Sequence, residues 1–412
     1  MSDIITIIFY VLVFLAIYLQ VFLLTVFFDK RDKLVSTKKE PTKFPGITFL
    51  IPCYNEETTV DSTIESILAL DYPKDKLKII AIDDGSSDNT WKNLQKYSDR
   101  ENIQILKKEN GGKHTALNYG LKFVDTPLVV SFDADTKILK DAAKRAVVYF
   151  ESDEDLMALG GAVLISKPKT FIQAAQSIEY QMFSFSKKML GLLGGVLVVP
   201  GAFSMFRVEA FDKIGGYKDA HKLEDLELTF RMQVAGLKVD HSHDAFVYTK
   251  GPETAKALFK QRLRWGYGFI NNMFDYRHAI FNKKYGNFGF FTLPMGIISY
   301  LVILNVFFIT WYHIIRFFID KTIEIQTLGF GSLIPSSFFD WFFVDTGAAM
   351  FLTLVMYATI MLSIYLGGRV SNIKSINLKY LAYFMLVYSV MVPLWVLKAL
   401  YNSVTGRKVA WR

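Results

Sequence analysis

The sequence predicts an integral membrane protein in which an α/β domain is inserted between transmembrane helices. Three observations predict it. Four stretches carry no formal charge: Ile4–Phe28, Tyr285–Ile315, Thr346–Gly368 and Tyr380–Leu397. Each is near the ~17–25 residues that cross a bilayer as helix. Between the first stretch and Tyr285, short apolar runs alternate with apolar residues at helical spacing. That grammar indicates a mostly parallel sheet with helices on both faces. The apolar runs also end in acidic clusters, which places chemistry at one edge of the sheet.

The first stretch reads as an anchor. A cleaved signal peptide has a short basic start and a small-residue cleavage site. Here Asp3 is the only charge before the run, and no such site precedes Asp29. Lys30, Arg31, Lys33, Lys38 and Lys39 follow, and basic flanks mark the cytoplasmic side. The formal charge of +8 fits such flanks better than nucleic-acid binding. The lone Cys53 excludes an intrachain disulfide and fits a reducing compartment.

Within the insert, Ile47–Ile51 reads as the first strand, closed by Pro52. Val60, Ile64, Ile67 and Leu68 then recur at helical spacing before Pro73. Lys78–Ile82 is the next strand and Leu128–Phe132 another. Ligands of such sheets bind beyond the carboxyl ends of strands. Three ends here carry polar clusters: Tyr54-Asn55-Glu56, Asp83-Asp84 and Asp133-Ala134-Asp135. No Gly-x-Gly-x-x-Gly follows the first strand and no Walker run occurs, so both usual nucleotide signatures are absent.

Asp133 and Asp135 flank one small residue, so two carboxylates can share a hard divalent cation with diphosphate oxygens. A solvated turn is the competing reading. Asp83 and Asp84 can accept donors from a base and ribose; the competing reading is that one of them simply holds the Gly85-Ser86 turn, and the two are treated as a pair. Lys113, in Gly111-Gly112-Lys113-His114, is placed to reach phosphate, against the plainer reading of a surface lysine. Leu223-Glu224-Asp225 opens a helical segment, where a carboxylate favours the N-terminal dipole. The functional reading is a general base that takes a proton from an acceptor hydroxyl, a part open to Asp225 or Glu224.

Pro200-Gly201-Ala202-Phe203 suits a tight acceptor-side loop, with Gly201 permitting close backbone approach. Gln261, Arg264 and Trp265 stand at i, i+3 and i+4 and share a helix face. Arg264 offers a fork of donors to diphosphate, and Trp265 a flat apolar surface to a sugar ring. With Arg262 and Lys260 nearby, a membrane-surface charge patch is the competing account. Thr170–Leu193 also reads as interfacial. His241 and His243 lack a third ligand at a diagnostic spacing and take a structural role.

Taken in order, Tyr54-Asn55-Glu56, Asp83-Asp84-Gly85-Ser86, Asp133-Ala134-Asp135, Leu223-Glu224-Asp225 and Gln261-Arg262-Leu263-Arg264-Trp265 resemble the motifs of a known family. The chain is similar to the family 2 inverting glycosyltransferases with a GT-A domain. Within them it resembles the processive synthases of cellulose, chitin, hyaluronan and poly-N-acetylglucosamine. The resemblance spans roughly Pro45 to Trp265. It implies that Tyr54, Glu56 and Asp83 or Asp84 hold the uridine of a UDP-sugar and Lys113 its diphosphate. Asp133 and Asp135 would serve the nucleotide and its Mg²⁺ or Mn²⁺. Asp225 matches the base, and Gln261 and Arg264 match the organisers of diphosphate and acceptor. Trp265 matches the floor under the terminal sugar, with Gly201 and Glu224 on the same acceptor side. Inversion of an alpha-linked donor then gives a beta linkage.

The implied partners are a UDP-sugar, UDP-N-acetylglucosamine being favoured, a glycan or lipid-linked acceptor, membrane lipids and an export partner. Nucleic acid is not among them. Leu223 stands where cellulose synthases typically carry Thr, and hyaluronan synthases favour Gly-Asp-Asp at this motif. The compact architecture suits a poly-N-acetylglucosamine or chitin-type product. A non-processive transferase adding one sugar to a lipid is the alternative.

The expected division is residues 1–29 as the first transmembrane helix and 30–285 as a cytoplasmic catalytic domain. Interfacial helices are expected at about 170–193 and 254–285, about three spans over 286–403, and a basic tail over 404–412. A loop is expected from Arg316 to Asp340, and the last span is expected to leave the C terminus outside. Arg407, Lys408, Arg412 and the tail Gly406–Trp411, which resembles a cytoplasmic feature of related synthases, argue against that last step. A re-entrant segment around Ile325–Phe343 would reconcile the two.

Overall fold

The computed structural model describes residues 3–34, 40–329, 348–371 and 376–409. Helix α1 (Asp3–Asp29) is the first apolar span. The insert begins with β1 (Ile47–Cys53), α2 (Val60–Leu68), β2 (Leu77–Asp84), α3 (Thr90–Gln95), β3 (Ile103–Lys108), α4 (Lys113–Leu121) and β4 (Leu128–Ser131). It continues through β5 (Thr136–Ile138), α5 (Ala142–Ser152), β6 (Leu156–Ile165) and the long α6 (Phe171–Leu192). Then come β7 (Ser204–Arg207), α7 (Glu209–Ile214), α8 (Glu224–Val234), β8 (Lys238–Thr249) and α9 (Ala255–Asp275). Three apolar helices follow: α10 (Leu293–Leu328), α11 (Ala348–Val370) and α12 (Leu378–Thr405).

The eight strands form one sheet in the order β3-β2-β1-β4-β7-β6-β8-β5. The expectation of a mostly parallel sheet holds for four of its seven strand pairings: β3, β2, β1 and β4 run parallel, and so do β6 and β8. Strand β7 runs antiparallel to both β4 and β6, and β5 antiparallel to β8. The reason is that alternation reports which face a side chain takes, not the direction of the strand. Strand β7 follows β6 through α6 and the Pro200–Phe203 turn and returns antiparallel beside it.

Alternation along β1 splits the core into two layers. Phe49, Ile51 and Cys53 join Val60, Ile64 and Ile67 of α2 and Ala146 and Val147 of α5. Leu50 turns the other way, with Ile80 and Ile82 of β2, Leu117 of α4 and Leu228 and Met232 of α8. Helices therefore cover both faces, as expected. Because Cys53 pairs with Asp83 and Leu50 with Ser131, the three polar strand ends emerge at one edge.

Helix α6 joins this domain to the apolar helices. Its Ile172, Ala175 and Ile178 pack with Leu258 of α9, Ile364 of α11 and Phe384 of α12. Further along, Phe185, Met189 and Leu190 pack with Leu23 and Leu24 of α1. Among the described residues four helices are long and apolar enough to cross a membrane, the count expected. The chain is a multi-pass membrane protein.

Two topology expectations are corrected. Residues after Arg316 do not leave the helix, because α10 continues to Leu328. Arg316–Asp320 at 3.8 Å and Lys321–Glu324 at 2.7 Å are one-turn pairs that support it, and it stops at Gly329, φ 80°. The re-entrant segment expected at Ile325–Phe343 thus begins as helix, and from residue 330 it lies outside the described residues. The end of α12 is also not remote from the catalytic domain. Ser403 Oγ accepts a 3.0 Å bond from Asn271 of α9. Lys408 and Val409 line a 740 Å³ cavity with Asp219, His221 and Tyr276. The tail sits on the catalytic side because α12 packs along α6 and α9.

Candidate active site

The first two strand ends are tied into one platform. Asn55 takes a left-handed φ of 56°, so its amide meets Ser86 Oγ at 3.0 Å and its Oδ1 accepts from the Ser87 amide at 2.9 Å. The Glu56 amide donates to Thr90 Oγ1 at 2.7 Å. Tyr54 is half-buried beside this turn. Successive positions on β2 then separate the two aspartates that the sequence leaves as a pair. Asp84 accepts from Lys108 Nζ at 2.6 Å, from the Gly111 amide at 3.1 Å and from the Gly112 amide at 2.9 Å. It holds the glycine loop. Asp83 is fully buried; its Oδ1 caps the Ser86 amide at 3.1 Å, while Oδ2 has no hydrogen-bond partner.

Lys113 is not the surface lysine of the plainer reading. The glycine loop starts α4 at Lys113, with Gly112 at φ 91°, and turns the ammonium inward. Its Nζ lies 2.6 Å from Asp133 Oδ1 and 3.1 Å from Glu224 Oε1. Burial works against its charge, but Asp133, Glu224 and Asp225 outweigh that and hold it protonated. Gly201 completes this cluster. A Cβ there would sit 2.6 Å from Lys113 Nζ and 3.5 Å from Asp225 Oδ2, so a larger residue would displace the Lys113 ammonium.

Helix α8 starts at Glu224, and Glu224 and Asp225, its first two residues, face the cluster. Asp225 Oδ2 accepts from the Gly201 amide at 3.1 Å and Oδ1 from the Leu226 amide at 2.8 Å. Burial, then the neighbouring Glu224, push its carboxyl above the usual range; Lys113 and the two amides oppose this. The preceding loop places it by an unusual route. Ala220, His221 and Lys222 are all left-handed, with φ of 45°, 56° and 67°. Such conformations are costly without glycine and persist where surroundings impose them. Here α9 imposes them. Asn272 Nδ2 donates to Ala220 O at 3.1 Å, Arg264 Nη1 to Lys222 O at 3.0 Å, and His221 Nε2 lies 2.9 Å from Asp275 Oδ2.

Gln261, Arg264 and Trp265 lie on α9, as the spacing predicts. Trp265 packs with Leu223 and Leu226 at the start of α8. Gln261 Oε1 is buried without a hydrogen-bond partner. The surface-patch account of Arg262 is corrected: Arg262 is buried and donates to Glu179 of α6, because α12 covers that side of α9. His241 and His243 are buried on β8, His243 Nδ1 lying 2.8 Å from Tyr149 Oη. Sequence reasoning missed Lys108, Glu179 and Lys187. Burial pushes the Lys187 ammonium down to about 8, against the charges of Asp225 and Glu179. Little in α6 alone marks it, since the other charges around it, Asp225 and Arg262, stand on α8 and α9.

Asp133 and Asp135 fit a divalent cation by their chemistry. The Asp135 carboxyl is pushed up to about 7 by burial first, then by the like charges of Asp133 and Glu56. Among the described residues no three His, Cys, Asp or Glu side chains converge as a complete cage. Two carboxylates with diphosphate and water supplying the other positions is the mode in which Mg²⁺ is commonly held.

Comparison with known proteins agrees with this geometry. Residues 45–268 match the profile described as Glycosyltransferase like family 2. The chain is 27% identical over 403 residues to a poly-beta-1,6-N-acetyl-D-glucosamine synthase of Staphylococcus epidermidis, covering 96% of this chain and 93% of that one. It is 33% identical over 248 residues to the synthase of that name from Staphylococcus aureus (strain COL), covering 59% of this chain and 60% of the relative. Among solved structures, the mannosyltransferase PcManGT from Pyrobaculum calidifontis, in complex with GDP-Man and Mn²⁺, has a TM-score of 0.58. That match is 14% identical and covers 96% of this chain and 99% of that one, which shows a shared fold. With the profile spanning more than half of its length, the chain belongs to glycosyltransferase family 2, its GT-A domain set between apolar helices long enough to cross a membrane.

Proposed function

We propose that the protein transfers a sugar from a UDP-sugar to an acceptor hydroxyl with inversion, extending a membrane-associated beta-linked polysaccharide. UDP-N-acetylglucosamine is the favoured donor, by likeness to the two staphylococcal synthases. The observation that carries the reading is the contact cluster of Asp133, Lys113, Glu224, Asp225 and Gly201. It joins the nucleotide edge of the sheet to the start of the base helix.

In this reading Asp83, with its open Oδ2, takes the base or ribose beside Tyr54 and Glu56, and Asp84 acts through the glycine loop. Asp133 and Asp135 would hold Mg²⁺ or Mn²⁺, which would neutralise charge on the departing diphosphate. Lys113 and Arg264 add fixed positive charge on the same side. Asp225 accepts the proton of the acceptor hydroxyl as that oxygen bonds to the anomeric carbon. The bond from that carbon to the phosphate oxygen breaks, and its electrons leave with UDP. The Gly201 and Leu226 amides fix the carboxylate of Asp225, Glu224 lies beside it on the acceptor side, and Trp265 supports the terminal sugar.

In this reading residues 30–285 face the cytoplasm, which the basic flank of α1 supports. The amphipathic helices α6 and α9 then lie at the interface, and the apolar helices over 286–403 provide an export path, with or without a partner. The test is a UDP-sugar panel scored by UDP release, with mass analysis of the product from purified enzyme. A ladder of beta-linked sugars supports the reading, and a single-sugar lipid product overturns polymerisation.

A further inference from the structure

We infer that Arg262 is a positioning residue for the acceptor platform: its guanidinium seats the Trp265 indole, and Glu179 and Tyr388 seat Arg262. The inference rests on the proposed role of Trp265 under the acceptor sugar. Arg262 and Trp265 are one turn apart on α9, and the guanidinium carbon lies 4.0 Å from the centroid of the indole ring. That is well inside the ~6 Å over which a cation is held by an aromatic face. Arg262 is 4% exposed, so the contact is shielded from water.

What holds the guanidinium comes from two other elements. Its Nη2 donates to Glu179 Oε2 of α6, and the same oxygen accepts from Tyr388 Oη of α12 at 2.6 Å. Glu179 and Tyr388 are buried as well. The ring of Tyr180 lies on the guanidinium at 5.9 Å. A planar group that stacks on a ring and bonds a carboxylate in its own plane is a task for arginine that lysine does not repeat. The indole is thus fixed by a continuous chain of contacts from the last apolar helix. Movement of α12 against α6 is transmitted to the surface on which the acceptor rests.

The test uses full-length enzyme in nanodiscs, with UDP-N-acetylglucosamine as donor and a short beta-linked N-acetylglucosamine oligosaccharide as acceptor. Arg262→Lys should raise the acceptor KM about tenfold while leaving the donor KM within about twofold. Trp265→Phe should raise the acceptor KM too, and the double variant should be no worse than the stronger single one. Multiplicative effects, or an equal rise in donor KM, would overturn the inference. Wild-type acceptor KM in Trp265→Phe would instead remove the platform role itself. If Arg262→Lys does not fold, Tyr388→Phe decides, since it keeps the ring and deletes only the hydroxyl. It should raise the acceptor KM about threefold; an unchanged value overturns the relay.

Discussion

Asp225 carries the sharpest consequences at the scale of single residues. If it is the base, Asp225→Asn should lower kcat by about 10²–10⁴-fold while UDP affinity measured by calorimetry stays near wild type. Near-normal turnover would remove it from that role. Its carboxyl is raised in the folded protein, and only the ionised form accepts a proton. Activity should therefore fall as pH drops through a midpoint above the ordinary aspartate range. Glu224 contributes to that shift by like charge, so Glu224→Gln should move the acid limb of the kcat/KM profile to lower pH. The two aspartates of β2 should separate as cleanly. Asp84→Ala takes a buried carboxylate from three donors, Lys108 Nζ and the Gly111 and Gly112 amides, and should cost about 3 kcal/mol of stability. Asp83→Ala should leave the melting temperature nearly unchanged and weaken UDP binding. Adjacent positions in a sequence do not show that one carboxylate is filled by the protein and the other is left open. Lys113, too, meets Asp133 and Glu224 from far along the chain, so its burial had no local signal.

Elements were more legible than contacts. Strands β1, β2 and β4 and helix α2 follow from apolar runs and helical spacing, because each satisfies a local period. Strand directions beyond β4 did not follow, since nothing in a short apolar run encodes its partner. The loop before α8 was equally hidden: Ala220, His221 and Lys222 are ordinary residues whose left-handed backbone is imposed by α9. This coupling of two motif-bearing elements makes a prediction at Gly268. A Cβ there would fall 2.6 Å from Leu223 Cβ and 3.2 Å from His221 O, against the backbone that positions Asp225. Gly268→Ala should push the loop off α9 and lower kcat by up to about 10²-fold, the scale of an ångström misplacement at a reacting centre. UDP affinity should survive, because Asp83, Asp133 and Asp135 stand on other elements. Equal losses in binding and turnover would show that the loop does not act through the base.

At the scale of the whole molecule, the catalytic domain and the apolar helices share a single packed interface built on α6. One end of α6 packs on α11 and α12, and the other on α1. Polar contacts stitch the same surfaces: Lys30 Nζ donates to Leu192 O at 2.9 Å, and Ser371 Oγ to Ser184 Oγ at 3.3 Å. The interface is close at Gly367 of α11, where a Cβ would lie 2.4 Å from Gln181 O. The boundaries proposed for the catalytic domain, residues 30–285, therefore do not mark a unit that stands alone in water. Cutting after residue 285 would expose Ile172, Ile178 and Leu258, each about 1.5–3 kcal/mol of lost burial. It would also leave Arg262 and Glu179 without Tyr388 above them. The fragment should aggregate, or fold with little transfer activity, while the full chain in nanodiscs stays active. Gly367→Leu tests the same contact within the intact chain: it should lower both thermal stability in nanodiscs and sugar transfer, because the clash lies on α6 backbone that no side-chain rotation relieves. A monomeric, water-soluble fragment with wild-type turnover would show that the interface serves only anchoring and that chemistry is independent of the bundle.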